Sequence, residues 1–386
     1  MARVCIHNGT VVSDTILHNG AVVVDDGRIT FVGDSGALSE AMCSGETVDA
    51  QGAWVFPGFL DVHIHGAAGH DFMEGDQQSL AAVAAHLAQY GVAGFLPSTV
   101  TASREKTRRA CQLVADFRSK DGAEVLGIHL EGPYINESKK GAQYGGEIRS
   151  ADLDELAVLY GLLGEQLRLV TLAPEVPGGL EAVDWLVDRG ITVSVGHSDA
   201  SFEETMAGFA HGISHVTHTF NGMRGLHHRD PGVVGAAFAA SHVFAEIIAD
   251  GVHVHPGAIQ GLLRAKGVDW MILVTDAVQA QGLPDGPYIL GDQPIFVKDG
   301  EARLEAGNLA GSTLNMLQAV RNMVDFGLVS LKEAVQMASL NPARTLGLKR
   351  RGWIREGYKG DVVVVSPQWV VQRNYVSGQL VYVYER

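Results

Sequence analysis

Residues 57–65 read Pro57-Gly58-Phe59-Leu60-Asp61-Val62-His63-Ile64-His65. The apolar run has strand character, and on a strand residues i and i+2 point to one face. His63 and His65 therefore project together from the end of a predicted strand. Downstream, strand-like runs recur with the same habit of ending in polar residues. They close at Pro97-Ser98-Thr99, His129-Leu130-Glu131, Thr171-Leu172-Ala173, Gly196-His197, His218-Thr219, Ala249-Asp250 and Thr275-Asp276. Between most of them lie amphipathic segments such as 80–90, 104–117, 151–163, 180–189 and 202–210. Eight strand–helix units in succession predict a (β/α)8 barrel, an α/β fold whose active site is built at the C-terminal ends of its strands. The link between the sixth and seventh runs has the weakest helical pattern.

The flanks read differently. Residues 1–54 hold short strands at 4–6, 21–24, 29–32 and 47–48, and Asp26-Gly27 between apolar runs is a hairpin signal. The tail returns to strands at 361–365, 369–375 and 379–384. The expected division is a small β-sandwich domain from residues 1–54 and 350–386, around a barrel spanning 55–349. Turn pairs at Asp285-Gly286, Gly291-Asp292 and Asp299-Gly300 predict a β-hairpin insertion near 282–311. Helices are expected at 313–326 and 331–339.

Composition narrows the function. The chain has 386 residues, with 29 basic against 44 acidic side chains and a net charge of −15. Such a surface repels nucleic acid and anionic membranes, so neither is an expected partner. An anionic ligand would need local positive groups. No signal-peptide pattern opens the sequence, and the apolar stretch 233–248 is too short for a membrane span and contains His242 and Glu246. It reads as core. Cys5, Cys43 and Cys111 are widely spaced and form no C-x-x-C. They read as three reduced thiols, which with the absent leader predicts a cytoplasmic protein.

The chemistry lies at the strand ends. His63, His65, Glu131, His197, His218 and Asp276 occupy equivalent points of separate units, where they converge on one face of a barrel. Four imidazoles and two carboxylates suit zinc or another divalent first-row ion. Asp276 ends an apolar strand, where a carboxylate is costly unless paired or functional. There it can accept a proton from an activated water and pass it to a leaving group. Arg229 lies in a basic cluster, Arg224 to Arg229, and its guanidinium fork matches phosphate oxygens. His253 follows the seventh strand, within reach of the same face.

The motifs P-G-F-L-D-x-H-x-H, H-L-E-G-P, G-H-S, H-x-F-N and T-D-A, together with Asp250-Gly251-Val252-His253, resemble the amidohydrolase superfamily from end to end. Within it they are similar to deacetylases of amino-sugar phosphates. The resemblance implies that Glu131, His197 and His218 bind the main metal and that His63 and His65 complete a second site, giving one or two ions per subunit. It implies Asp276 as catalytic acid and base. Asn221, Gly222, Arg229 and His253 match residues that hold the sugar phosphate, part of that grip coming from the neighbouring subunit of a homodimer. Gln143 stands where many relatives carry a histidine that helps polarise the acetyl carbonyl. The expected reaction is removal of the acetyl group from N-acetylglucosamine 6-phosphate, in amino-sugar catabolism or cell-wall recycling. The galactosamine epimer is the alternative substrate, and an inactive sugar-phosphate-binding homologue is the reading from another class.

Overall fold

The computed structural model describes residues 3–74, 76–118 and 121–385. The first five strands are β1 (Val4–Val12), β2 (Ile16–Asp25), β3 (Arg28–Asp34), β4 (Glu46–Asp49) and β5 (Trp54–Pro57). The eight runs of the central region follow as β6 (Phe59–Ile64), β7 (Val92–Pro97), β8 (Ile128–Glu131), β9 (Leu167–Leu172), β10 (Thr192–Val195), β11 (His215–Val216), β12 (Phe244–Ile248) and β13 (Met271–Val274). Neighbours pair parallel from β6 to β7 and from β8 through to β13. A parallel bridge between Ser98 and His129 joins the two sets. Closure comes from the Asp276 N–H donating to the His63 carbonyl at 2.9 Å and the His65 N–H to the Ala277 carbonyl at 2.8 Å. The expected barrel is present.

The barrel strands are buried on both faces, which explains why they read as apolar runs without alternation. Helices cover the outside, and their starts are legible in the chain. Ser103 caps the helix Arg104–Asp116, and Ser201 forms a capping box with Glu204 at the head of Phe202–Ala210. Such caps satisfy backbone N–H groups that the first turn leaves unpaired. The weak helical pattern between the sixth and seventh strands is a short helix, Gly232–Ala239, preceded by a long loop.

The two ends of the chain meet in one sheet. The strands β17 (Val362–Val365), β18 (Val371–Val376) and β19 (Gln379–Val383) extend it, in the order β19-β18-β17-β5-β1-β2-β3, with β4 also on β1. Val364 pairs antiparallel with Val55. The expected sandwich is thus one continuous eight-stranded sheet in its hydrogen bonding. A register shift between Ile6 and Gly9 breaks β1, whose first half pairs with β4 and second half with β5. Its core holds Ile6, Val22, Ile29, Val55 and Tyr375.

The insertion is a three-stranded antiparallel sheet, β14 (Gly286–Leu290), β15 (Gln293–Lys298) and β16 (Glu301–Leu304). Leu290, Ile295 and Val297 pack with Val100 and Val278 beside the ends of barrel strands. That docking brings the insertion to the barrel mouth.

The reading of three reduced thiols is corrected. Parallel pairing of β4 beside β1 brings the turn before β4 over Cys5, and Cys43 is disulfide-bonded to Cys5 with their Cα atoms 5.2 Å apart. Among the described residues only Cys111 is free. It is buried, and burial pushes its thiol up to about 12. The thiol argument for a reducing compartment therefore falls away. No helix of the described residues is long and apolar enough to cross a membrane.

Candidate metal centre and substrate cavity

His63 lies at the end of β6 with His65 directly after it, and Glu131 ends β8. His197 and His218 follow β10 and β11, and Asp276 follows β13. All six are buried. Three of them have positive φ: His197 (47°), His218 (27°) and Asp276 (48°). Such backbone is sparsely populated for these residue types and persists only where the surroundings impose it. Each turn aims its side chain back over the barrel axis.

The imidazoles are oriented from behind. The Nδ1 of His197 lies 2.9 Å from the Lys139 carbonyl, that of His218 3.1 Å from the Asn221 carbonyl, and that of His65 3.3 Å from the Ser98 carbonyl. A carbonyl can only accept, so each Nδ1 carries the proton and each Nε2 presents a lone pair. His63 Nδ1 faces the Glu246 carboxylate at 2.9 Å, which also accepts the His218 backbone N–H and lies 2.9 Å from His215. Burial opposes charge on Glu246. The imidazoles around it, His63 foremost, outweigh that effect and hold its carboxyl well below the usual range.

The lone pairs then converge. His197 Nε2 and His218 Nε2 lie 3.2 Å apart, each beside Glu131 Oε1 at 3.1 and 3.2 Å. His63 Nε2 and His65 Nε2 lie 3.3 Å apart, and Asp276 Oδ1 is 3.1 Å from His65. Two such lone pairs at this separation repel unless a proton or a cation lies between them. The donor atoms fall into two groups of three, His63 with His65 and Asp276, and Glu131 with His197 and His218. Imidazole nitrogen and carboxylate oxygen, held from behind by acceptors, are the donor set of a divalent transition-metal site. The residues present fit such an ion.

The site floors a cavity of about 410 Å³. Asn221, Gly222, His253 and Gln143 line it, as the sequence reading expects. Gly222 has φ +57°, and a Cβ there would approach His197 Nδ1 to 2.9 Å, so only glycine fits. His253 is held by Asp250 at 2.6 Å. Gln143 is held at both ends of its amide. Its Oε1 accepts the Thr101 N–H at 2.6 Å, and its Nε2 donates to Glu131 Oε2 at 2.7 Å. Arg229 does not join them in this chain. It lies in an exposed loop, its guanidinium 2.8 Å from His228.

Sequence reading missed several participants. Glu246 hid in an apolar run taken for core, and its signal was a lone carboxylate in the middle of a strand. Arg303 reaches the cavity from β16, and Asn308 from the loop after it. Asp61, fully buried, accepts the Thr275 hydroxyl at 2.6 Å and ties the first barrel strand to the last. Burial raises its carboxyl to about 7.

A barrel carrying imidazoles and a buried aspartate on its C-terminal rim, with a β-rich domain built from both flanks, defines a class. Residues 54–383 match the amidohydrolase family, and the chain belongs to it. The relatives are more particular. N-acetylglucosamine-6-phosphate deacetylase of Vibrio furnissii is 42% identical over 331 residues, 85% of this chain and 83% of that protein. N-acetylgalactosamine-6-phosphate deacetylase of Escherichia coli O157:H7 is 41% identical over 327 residues, 84% and 86% of the two chains. Among solved structures, a variant of N-acetyl-D-glucosamine-6-phosphate deacetylase from Mycobacterium smegmatis, in complex with N-acetyl-D-glucosamine-6-phosphate, superposes with a TM-score of 0.93. It is 31% identical and covers 99% of this chain and 100% of that one.

Proposed function

We propose that the protein hydrolyses the acetamido group of N-acetyl-D-glucosamine 6-phosphate, releasing acetate and D-glucosamine 6-phosphate. The observation that carries this reading is the pairing of the converged donor set and Asp276 with a cavity whose walls are Asn221, Gly222 and His253. Similarity to the deacetylases of amino-sugar phosphates supports it.

Glu131, His197 and His218 hold the main ion, and His63, His65 and Asp276 frame a second position. We assign zinc. The ion supplies Lewis acidity and eases deprotonation of a water. Asp276 accepts that proton as the oxygen adds to the acetyl carbon. Burial works against the charge of Asp276, but the neighbouring His63 and His65 outweigh it and hold its carboxyl below the usual range. In its carboxylate form it is able to accept. As the carbon–nitrogen bond breaks, Asp276 returns the proton to the departing amine. Gln143 keeps the Glu131 carboxylate in place.

Asn221, the Gly222 backbone and His253 hold the sugar phosphate. Arg229 is exposed in its own chain, which accords with a homodimer in which it reaches the phosphate bound by the neighbouring protomer.

The test is acetate release by purified, zinc-loaded protein given N-acetylglucosamine 6-phosphate, its galactosamine epimer and unphosphorylated N-acetylglucosamine side by side. Preference for the first is expected. Faster turnover of the epimer would move the assignment to the galacto sugar. Equal turnover of the unphosphorylated sugar would remove the phosphate contacts from the account.

A further inference from the structure

A second and larger cavity, of about 1030 Å³, lies at the other end of the barrel. Arg168 enters it at the start of β9, and Lys349, Arg350 and Arg351 from the segment after the last helix. Arg28 and Lys359 enter from the sheet that joins the chain ends. None of the groups proposed for catalysis reaches it. Arg118 lines it as well, so seven cations face one concavity in a chain whose net charge is −15. Two carboxylates line it with them, Asp26 and Glu124.

The pairing within it is lopsided. Glu124 is shared by Arg351, at 2.7 Å, and Lys359, and Arg351 also meets Asp361 at 2.8 Å. Among the described residues Arg28, Arg168, Lys349 and Arg350 enter no ion pair. Arg28 spends one N–H on the Gly357 carbonyl and Arg168 one on the Leu126 carbonyl, and their other donors remain available. The buried Nε of Arg351 has no hydrogen-bond partner. Unpaired cations around a concave, partly apolar wall repel one another and focus a positive potential there. An anion relieves both.

We propose that this cavity is a binding site for an oligophosphate, two or more linked phosphates, separate from the catalytic cavity. Guanidinium forks match phosphate oxygens two at a time. A single phosphate would engage only some of these cations. The volume is that of a drug-sized ligand rather than of one small ion, since such sites run from about 300 to about 1000 Å³. No residue lines both cavities, so filling this one leaves the substrate cavity open.

Isothermal titration of the zinc-loaded protein with inorganic triphosphate, with ATP and with inorganic phosphate tests the proposal. Triphosphate is expected to bind more tightly than phosphate. The ATP arm tells whether a nucleoside adds affinity. The comparison protein carries Lys349→Glu with Arg350→Glu, both exposed, and a second carries Arg168→Ala. Each should keep its deacetylase activity, which reports an intact fold, while triphosphate affinity falls by about tenfold or more, and weakens with added salt. Undiminished binding in both variants would place the anion elsewhere, the catalytic metal included, and overturn the proposal. So would competition between triphosphate and glucosamine 6-phosphate, or triphosphate binding no tighter than phosphate.

Discussion

At the scale of single residues, the site separates groups that react from groups that hold them. Asp276 is the proposed proton carrier. Replacing it with asparagine keeps the shape and removes the basicity. Turnover should fall by about 100- to 10,000-fold, with the zinc of the Glu131, His197 and His218 site retained by elemental analysis. Wild-type turnover in that variant would sink the assignment. Gln143 makes a different prediction. Its amide touches Thr101 and Glu131, so it acts on the carboxylate behind the ion. Gln143→Ala should weaken zinc retention by about 10- to 100-fold, read by competition with a chelator. If zinc affinity is unchanged and only the rate falls, Gln143 faces the substrate instead. The histidines and carboxylates at strand ends were legible in the sequence because each closes an apolar run at an equivalent point of its own strand–helix unit. Glu246 instead falls inside a run long enough to pass for core. Its role follows from β11 and β12 lying side by side, a relation that no local window contains.

At the scale of elements, the barrel strands and most helices could be read from apolar runs and caps, since both are local. The sixth run was read as closing at His218-Thr219, but only His215 and Val216 are strand, and the short helix 232–239 left the weakest pattern of all. Tertiary packing fixes them, and the loop between them is shaped by the site. The insertion was visible as turn pairs, but nothing in them says where it docks, so Arg303 and Asn308 were not placed at the cavity. The helix Pro256–Lys266 carries a testable feature at its C-terminal end. Lys266 is 5% exposed and donates to the Ala240 carbonyl. Burial lowers its ammonium from 10.5 to about 8. The unfolded chain then holds the proton more tightly than the folded one, so the penalty is full below about pH 8 and is relieved as pH rises towards about 10.5. The stability of Lys266→Met relative to wild type, from urea unfolding, should therefore decline across that window. A pH-independent difference would show that the ammonium is solvated.

At the scale of the whole molecule, the phosphate contact of Arg229 is a claim about assembly, because the loop is exposed and outside its own chain's cavity. Arg229→Ala should raise KM for the phosphorylated sugar by about tenfold or more, consistent with loss of a charge-assisted contact, and leave the unphosphorylated sugar unaffected. Mixing this variant with Asp276→Asn should restore activity, since one hybrid active site then has both groups intact. Absence of rescue, with dimers confirmed by light scattering, would show that Arg229 does not act across the interface.

The sheet shared by the two ends of the chain has a consequence for biosynthesis. Strand β5 leaves the ribosome early, and its antiparallel neighbour β17 is translated about three hundred residues later. Until then β5 has an open edge, and the first barrel strand that follows it cannot be latched to the last one, which is also still to come. The nascent chain must therefore hold a half-finished sheet and an unclosed barrel together through most of translation. The barrel can close once β13 has been made, whereas the sheet waits for the later helices and then for β17, which meets a partner made long before.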